Sequence, residues 1–348
     1  MRLILNNEVP LAPLPGCQKF YFQIAMDLSL VIPSYNRADL IGETIQSALD
    51  QTHGFAEIIV VDDASTDDTL ARLKQFGTRI TVIASSKVGV QEARNIGVSA
   101  ARTPYVTLCD SDDILQPTYV EIIGSWLDKQ QDCDAVYTNH QVFQGDVTGV
   151  PTFSRAPDGF FSSAVQDGSF RTSVPDLYRK TLAFQPLLAS GVTLKTSFYN
   201  AIGGFDKSFN GVPSEDWEFT LRVLHGGNVA LCDDPLTLIR RHNGNESKNN
   251  LRQRLGEIVV MEHAIAHHNC SVHYHPAFVE TINRHRLWAF EEAFGTKKLR
   301  LAAAIFPLLV DRPRSLKFFV KAMLIRSYMV LTNYRAPPLH TQFAEASR

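Results

Sequence analysis

Short apolar runs alternate with amphipathic stretches between residues 28 and 137. The apolar runs cover residues 28–33, 57–61, 79–83, 105–109 and 135–137, and the amphipathic stretches cover residues 39–51, 66–76, 91–101 and 117–129. Strands that are apolar throughout and alternate with helices are typical of a parallel sheet that is covered on both faces. The pattern therefore predicts an α/β fold with a doubly wound, mostly parallel sheet, whose ligands bind beyond the carboxyl ends of the strands.

The pattern changes twice further along the chain. Residues 144–176 are rich in Gly, Ser, Pro and Asp, which predicts a long irregular loop. Strands and helices then resume, with two strands predicted near Val229 and Leu238. After Asn250 long amphipathic stretches predict a helical region. We therefore divide the chain into an N-terminal extension (residues 1–26), an α/β domain (27–245) and a C-terminal helical region (246–348).

Composition is that of a globular protein, with 348 residues of which 45% are hydrophobic and 20% charged. The net charge of -2 provides no overall attraction for nucleic acid, so we expect no nucleic-acid partner. The five cysteines are scattered without a C-x-x-C pair, which argues against a disulfide framework or a zinc knuckle and favours a reducing, cytoplasmic location. No apolar stretch is long enough to predict a membrane span.

The N-terminus begins like an export signal, but Asn6, Asn7 and Glu8 interrupt the apolar run that such a signal requires. The first predicted strand starts shortly after Met26. We therefore expect Met26 to be the native start and the preceding residues to be dispensable.

Three acidic groups stand where predicted elements meet. They are Asp62-Asp63, Asp110-Ser111-Asp112-Asp113 and Glu215-Asp216. Carboxylates this close repel one another, and a cation relieves the repulsion. Mg²⁺ and Mn²⁺ are commonly bound by one or two carboxylates together with substrate phosphates. The alternative for each group is a helix cap or a solvated helix start.

The chain has neither a P-loop nor a dinucleotide-binding glycine motif, so phosphates need another partner, and the metal fits that need.

The order of these motifs resembles a known family. The segments VIPSYNRADLIGETIQSALDQT, EIIVVDDASTDDT and GVQEARNIGVSAARTPYVTLCDSDD resemble the inverting glycosyltransferases of family two, which have the GT-A fold. The resemblance implies a nucleotide pocket that begins at Pro33, Tyr35 and Asn36, with Asp63 on the base or ribose and Arg94 on the nucleotide. It also implies that Asp112, with Asp110 beside it, holds Mg²⁺ or Mn²⁺ against the diphosphate.

The second half of the chain continues the resemblance through GGFDKSF, SEDWEFTLRVLHGG and PLTLIRRH. By this resemblance Asp216 is the base that removes a proton from the acceptor hydroxyl, and Glu215 orients the acceptor or the base. His242 is either a further metal or phosphate contact or an ordinary surface histidine. For Trp217 we favour a place in the core over stacking on a sugar.

The resemblance implies an enzyme that moves a sugar from a nucleotide-diphosphate sugar to a glycan or lipid-linked acceptor. Two alternatives stay open: a nucleotidyltransferase, which would carry a Gly-rich basic loop where this chain has PSYNRAD, and a binding protein that keeps the pocket without turnover.

Two features outside these motifs need an interpretation. The first is a group of histidines, His263, His267, His268, His273 and His275, for which a third metal ligand is not evident and a surface or interface role is favoured over zinc. The second is a basic and apolar stretch around Lys317, Lys321 and Arg326. It would either lie on an anionic membrane or pack on the protein with a basic outer face.

Overall fold

The computed structural model describes residues 27–242, 249–268, 271–335 and 337–341. The N-terminal extension and the expected start at Met26 lie outside the described residues. Eleven strands form one sheet. They are β1 Leu28–Ser34, β2 Glu57–Asp62, β3 Thr81–Ala84, β4 Tyr105–Leu108, β5 Ile114–Leu115, β6 Ala135–Gln144, β7 Val147–Thr148, β8 Val165–Asp167, β9 Phe170–Thr172, β10 Val192–Lys195 and β11 Val229–Arg240.

The α-helices lie between and after these strands. They are α1 Ile41–Leu49, α2 Thr69–Lys74, α3 Val90–Ala100, α4 Tyr119–Leu127, α5 Leu177–Ala183, α6 Thr196–Ala201, α7 Glu215–Gly226, α8 Asn250–His267, α9 Ser271–Gly295, α10 Leu299–Ile305 and α11 Leu316–Leu331. Every predicted strand-helix round up to α4 is present, with ends that lie within three residues of the predicted bounds.

The main path of the sheet runs β3-β2-β1-β4-β10-β6-β11-β9-β8. β3, β2, β1 and β4 are parallel, β10 is antiparallel to both β4 and β6, and β11 is parallel to β6. The sheet is therefore mixed and mostly parallel, as predicted. All seven residues of β1 are buried, because helices cover both faces: Leu30 packs in a cluster with α1, and Val31 packs in a cluster with α3.

Two predictions from the sequence were wrong in detail. Within residues 144–176, predicted as irregular, β8 and β9 form an antiparallel hairpin that extends the sheet beside β11. The two strands predicted near Val229 and Leu238 are one strand, β11, which shifts its register against β6 around Pro235. A proline has no backbone N–H to donate, so a bulge at this position keeps the strand in the sheet.

The C-terminal helices share a hydrophobic cluster with the sheet domain. Trp217 and Leu221 of α7 belong to the same buried cluster as Leu255 of α8 and Phe290 of α9. Trp217 is thus a core residue, as predicted. A Cβ atom placed on Gly256 would lie 2.2 Å from the carbonyl oxygen of Pro213, so α8 packs directly on the segment that leads into α7. Among the described residues, every helix falls short of the length and apolar character needed to cross a membrane.

Candidate active site

The candidate site lies where β1, β2 and β4 end, because parallel strands bring the residues that follow them to one edge of the sheet. Tyr35 and Asn36 follow β1, Asp63 follows β2, and Asp110 lies two residues beyond β4. Arg94 reaches this edge from α3, and Glu215 and Asp216 reach it from the first turn of α7.

A buried arginine joins two of the acidic groups. Arg94 Nη2 lies 2.7 Å from Asp110 Oδ1, and Arg94 Nη1 lies 3.1 Å from Glu215 Oε1. Burial alone would lower the pKa of Arg94, but the carboxylates of Asp110 and Glu215 outweigh it and raise the pKa above its usual value. Residues 121 positions apart in the chain are therefore held in one ion-paired cluster.

Asp216 lies beside this cluster in an environment suited to a base. Burial, reinforced by the Glu215 carboxylate, raises the pKa of Asp216 to about 7, although Arg94 opposes the rise. Burial also raises the pKa of Glu215, again opposed by Arg94. A carboxylate whose pKa is near the working pH is effective in removing a proton and releasing it later.

The backbone before Asp216 is fixed in an unusual conformation. Ser214 has a φ of 65°, in the left-handed region, and it immediately precedes α7. The side chain of Gln253 on α8 donates a hydrogen bond of 2.6 Å to Ser214 Oγ. Non-glycine residues in this region are uncommon and cluster at functional sites, where the surrounding structure holds them. α8 thus helps to fix the position of the two acids.

Asp112 belongs to a second group of charged side chains, which includes His242 just after the end of β11. His242 Nε2 lies 2.9 Å from Asp112 Oδ2, and Arg37 Nε lies 3.4 Å from the same oxygen. His242 is therefore an active-site neighbour of Asp112 in this structure. The Asp110 side chain, at 37% exposure, is more open to solvent than that of Asp112 at 13%.

Asp113, the third carboxylate of the segment 110–113, is buried and holds the backbone in place. Its Oδ1 accepts a hydrogen bond of 2.9 Å from the backbone N–H of Arg240. Burial raises the pKa of Asp113 well above its usual value, and the carboxylates of Asp110 and Asp112 reinforce the rise. Asp113 thus ties the loop after β4 to β11.

The residues predicted for the nucleotide pocket hold its loops in place. Asp63 Oδ1 accepts hydrogen bonds from Ser85 Oγ and the Val88 N–H, and Oδ2 accepts one from the Gly89 N–H. Burial would raise the pKa of Asp63, but these hydrogen bonds outweigh it and lower the pKa. Asp63 therefore fixes the loop between β3 and α3, so a contact of its carboxylate with a base or ribose stays a prediction.

Asn36 and Tyr35 line the neighbouring loop. Asn36 has a φ of 51°, and its Oδ1 accepts a hydrogen bond of 2.8 Å from the Thr66 N–H. Tyr35 is exposed, with the ammonium group of Lys87 over its ring. Pro33 is buried within β1, in register with Val61 of β2, one residue before this strand ends.

Arg37, Lys87 and Arg240 are site residues that sequence reasoning missed. They supply positive charge around the acidic groups, and Arg240 Nε donates to the backbone oxygen of Asp112 at 2.9 Å. A signal was available, because Arg37 and Arg240 stand inside the quoted motifs PSYNRAD and PLTLIRRH. Such cations are suited to the phosphates of a nucleotide.

Two residues of the histidine group lie close to an acidic side chain, a possible third metal ligand that the sequence did not reveal. Ligand atoms of Glu218, His263 and His268 lie within 4.8 Å of one another, the one such group found among the described residues. Both Glu218 oxygens already accept hydrogen bonds of 2.7 Å from Arg222. Burial would raise the pKa of Glu218, but His268 and Arg222 lower it to about 2. This network links α7 to the end of α8.

Comparisons with known proteins agree with this geometry. Residues 29–178 match the family model described as glycosyl transferase family 2. An uncharacterized glycosyltransferase of Haemophilus influenzae is 34% identical over 225 residues, which are 63% of this chain and 67% of the relative. Chondroitin synthase of Escherichia coli is 28% identical over 213 residues, which are 59% of this chain and 30% of that protein.

Among solved structures, the mannosyltransferase PcManGT of Pyrobaculum calidifontis, in complex with GDP-Man and Mn²⁺, superposes with a TM-score of 0.54 and 19% identity. The match covers 93% of this chain and 86% of PcManGT, and it shows that the fold is shared. The chain spans between 30% and 53% of the length of three curated bacterial relatives, chondroitin synthase among them.

Proposed function

Because the chain belongs to glycosyl transferase family 2, we propose that it transfers a sugar, with inversion, from a nucleoside-diphosphate sugar to an acceptor hydroxyl. The observation that carries this proposal is the bridge formed by Arg94. Arg94 holds Asp110 and Glu215 within one cluster. We propose that Asp110 lies toward the diphosphate, and Glu215 is next to the proposed base. An inverting transfer requires the leaving diphosphate and the base on opposite sides of one anomeric carbon.

In the proposed reaction, the Asp216 carboxylate accepts the proton of the acceptor hydroxyl as that oxygen attacks the anomeric carbon. The bond between this carbon and the diphosphate oxygen breaks, and its electron pair leaves with the diphosphate. Glu215 and Arg94 position Asp216, since the ion pair between them fixes the first turn of α7. Arg37, beside Asp112, and Lys87, beside Tyr35, are the cations that we propose to offset negative charge on the leaving nucleotide.

The residues at the end of β4 suit a hard divalent cation. Asp110, Asp112 and His242 offer two carboxylates and an imidazole. Asp112 pairs with His242 and Arg37 in this structure, and Asp110 pairs with Arg94, so a bound cation would compete with these partners for the carboxylate oxygens. We propose that these three residues hold Mg²⁺ or Mn²⁺, which would offset the charge that develops on the leaving diphosphate. The Mn²⁺ in the PcManGT complex supports a metal in this fold.

The acceptor that we propose is a growing polysaccharide or a lipid-linked glycan of the cell envelope. Chondroitin synthase of Escherichia coli, a relative over 59% of this chain, synthesises chondroitin by its name, which supports a glycan acceptor. Three cysteines of the described chain, Cys109, Cys133 and Cys232, are buried free thiols, which supports a reducing, cytoplasmic site of action.

The two alternative functions fit less well. A nucleotidyltransferase needs a Gly-rich basic loop after its first strand, and the loop after β1 here is built around Tyr35 and Asn36 instead. A binding protein without turnover has no need of a carboxylate whose pKa burial raises to about 7. Release of a nucleoside diphosphate in the presence of acceptor separates an enzyme from a binding protein.

A donor panel tests the proposal. We expect one class of nucleotide sugar, with Mn²⁺ or Mg²⁺ present, to raise the melting temperature of the protein by several degrees, because a ligand that binds the folded state stabilises it. The same donor with EDTA is the matched control and should give a much smaller shift. If every uridine, guanosine, cytidine and thymidine diphosphate sugar leaves the melting temperature unchanged with both metals, the transferase proposal is wrong.

A further inference from the structure

The last long helix of the chain, α11, turns a row of apolar side chains away from the protein. Seven of its large apolar residues have between 48% and 85% of their surface exposed. They are Leu316, Phe319, Val320, Met323, Leu324, Val330 and Leu331. At about 100° per residue, these positions fall within an arc of roughly 140° on one side of the helix. We refer to this set of seven residues as the exposed apolar face.

The opposite side of α11 anchors it to the protein. Phe318 and Ile325 are buried, and the ring of Phe318 lies 5.5 Å from the ring of Phe290 on α9. Ala322, Tyr328 and Met329 pack against the same cluster. The helix therefore already has one apolar side that faces the core, and the exposed apolar face is a second apolar side that faces away from it. The alternative from the sequence was a helix that packs on the protein with a basic outer face. The packing is present, but the outer face is apolar, and basic residues occupy only its borders.

Those borders are cationic on both sides. Lys317 and Arg326, both exposed, precede and follow the arc of the exposed apolar face around the helix axis. Lys321 is turned inward and pairs with Glu291. Residues 311–335 contain six basic residues and one acidic residue, whereas the whole chain has a net charge of -2. Positive charge is thus concentrated around this one apolar surface.

We propose that the exposed apolar face of α11 binds an anionic membrane, with the helix lying in the plane of the lipid headgroups. The apolar side chains would enter the upper acyl region, while Lys317 and Arg326 extend their stems along it and place their charges among lipid phosphates. Each basic residue close to an anionic leaflet adds to the attraction, and salt screens this contribution. With 16 residues and three cations, α11 lies on a bilayer rather than crossing it.

A second copy of the chain is a less suitable occupant of this surface. In a twofold contact between two exposed apolar faces, the cationic borders of both copies would meet. Like charges in such a contact oppose association, whereas an anionic lipid surface complements them. Large apolar surfaces rimmed by polar residues mark sites that bind another surface, and the charge of the rim selects the lipid.

Sedimentation of the full-length protein with lipid vesicles tests this inference without donor or acceptor. We expect the protein to pellet with vesicles of phosphatidylcholine and phosphatidylglycerol and to bind phosphatidylcholine alone at least tenfold more weakly. The variant Phe319→Asp/Leu324→Asp should lose at least tenfold in affinity for the anionic vesicles, since two apolar contacts become charged. Lys317→Gln/Arg326→Gln should lose most of the preference for anionic lipid.

Val147→Asp is the matched control, because Val147 is an exposed apolar residue of β7, outside α11. It should bind vesicles like the unaltered protein. Absence of binding by the unaltered protein, or equal binding by Phe319→Asp/Leu324→Asp, would overturn the inference. A dimer in solution that this variant dissociates, with no vesicle binding, would instead assign the face to a second copy. Because the assay requires no transfer, its result is independent of the proposed reaction.

Discussion

Replacing Asp216 with asparagine is expected to lower kcat by about 10²–10⁴-fold, the contribution typical of a general base. Asparagine keeps the shape of the side chain and the start of α7, but its amide does not accept the acceptor's proton. Nucleotide-sugar affinity should stay within about threefold, because Asp216 faces the acceptor rather than the phosphates in the proposed reaction. Initial rates of nucleoside diphosphate release, with donor binding measured separately, check both parts.

Glu215→Gln is the informative comparison for this substitution. It removes the charge that pairs with Arg94 while Asp216 stays in place. We therefore expect a smaller loss of kcat than for Asp216→Asn. If Asp216→Asn retains most of the transfer activity while Glu215→Gln abolishes it, the two roles are reversed. Equal full activity of both variants would remove the basis of the proposed mechanism.

The pH dependence provides a second measure of the same base. Since burial raises the pKa of Asp216 to about 7, the carboxylate is mostly protonated below that pH and mostly ionised above it. Because only the ionised form accepts a proton, kcat/KM should fall about tenfold per pH unit well below pH 7 and level off above it. This acid limb should be absent from the residual activity of Asp216→Asn. A profile that stays flat from pH 5 to 8 in the unaltered protein contradicts the assignment.

Replacing Asp112 with asparagine is expected to lower kcat by about 10²–10³-fold, the loss typical when one charge-stabilising group is removed. The increase of the rate with added Mn²⁺ or Mg²⁺ should also become weaker. The Asp112 carboxylate lies within reach of His242 and Arg37, and its removal leaves these groups with a neutral amide. Titration of the rate with Mn²⁺ and Mg²⁺ checks the effect. The loss of apparent metal affinity should exceed that of His242→Ala, because Mg²⁺ and Mn²⁺ depend more on a carboxylate oxygen than on an imidazole nitrogen.

Asp146→Asn is the control for a loss of negative charge, since Asp146 is exposed in the turn between β6 and β7. It should change neither the rate nor the metal response. An Asp112→Asn variant that keeps its full metal response would show that Asp112 is not a metal ligand. In that case Asp110, the more exposed carboxylate, would be the next candidate.

The parallel half of the fold could be predicted because its strands carry a clear signal. β1 and β2 are buried on both faces and therefore read as continuous apolar runs between amphipathic helices. The hairpin of β8 and β9 lacks that signal. β8 is exposed throughout and β9 is three residues long, so neither strand produces an apolar pattern in the sequence. Their pairing depends on the edge that β11 offers.

The acidic residues of the site could be predicted because they stand in motifs, but their partners could not. The approach of Arg94 to Glu215, and that of Glu218 to His268, join residues 121 and 50 positions apart. Only the folded chain brings such pairs together. The same holds for α11, whose composition is apolar on both sides. Which of its residues face outward depends on where Phe318 and Ile325 find a core.

The contact between Gly256 and Pro213 limits how this enzyme can exchange parts with its relatives. Any side chain at position 256 would collide with the carbonyl of Pro213, three residues before the proposed base. A chimaera that joins residues up to 245 with the helices of another family member inherits this seam, and it works only where the incoming helix also has a glycine there. Exchanges that begin near residue 245 are therefore restricted to relatives that have a glycine at the position equivalent to Gly256.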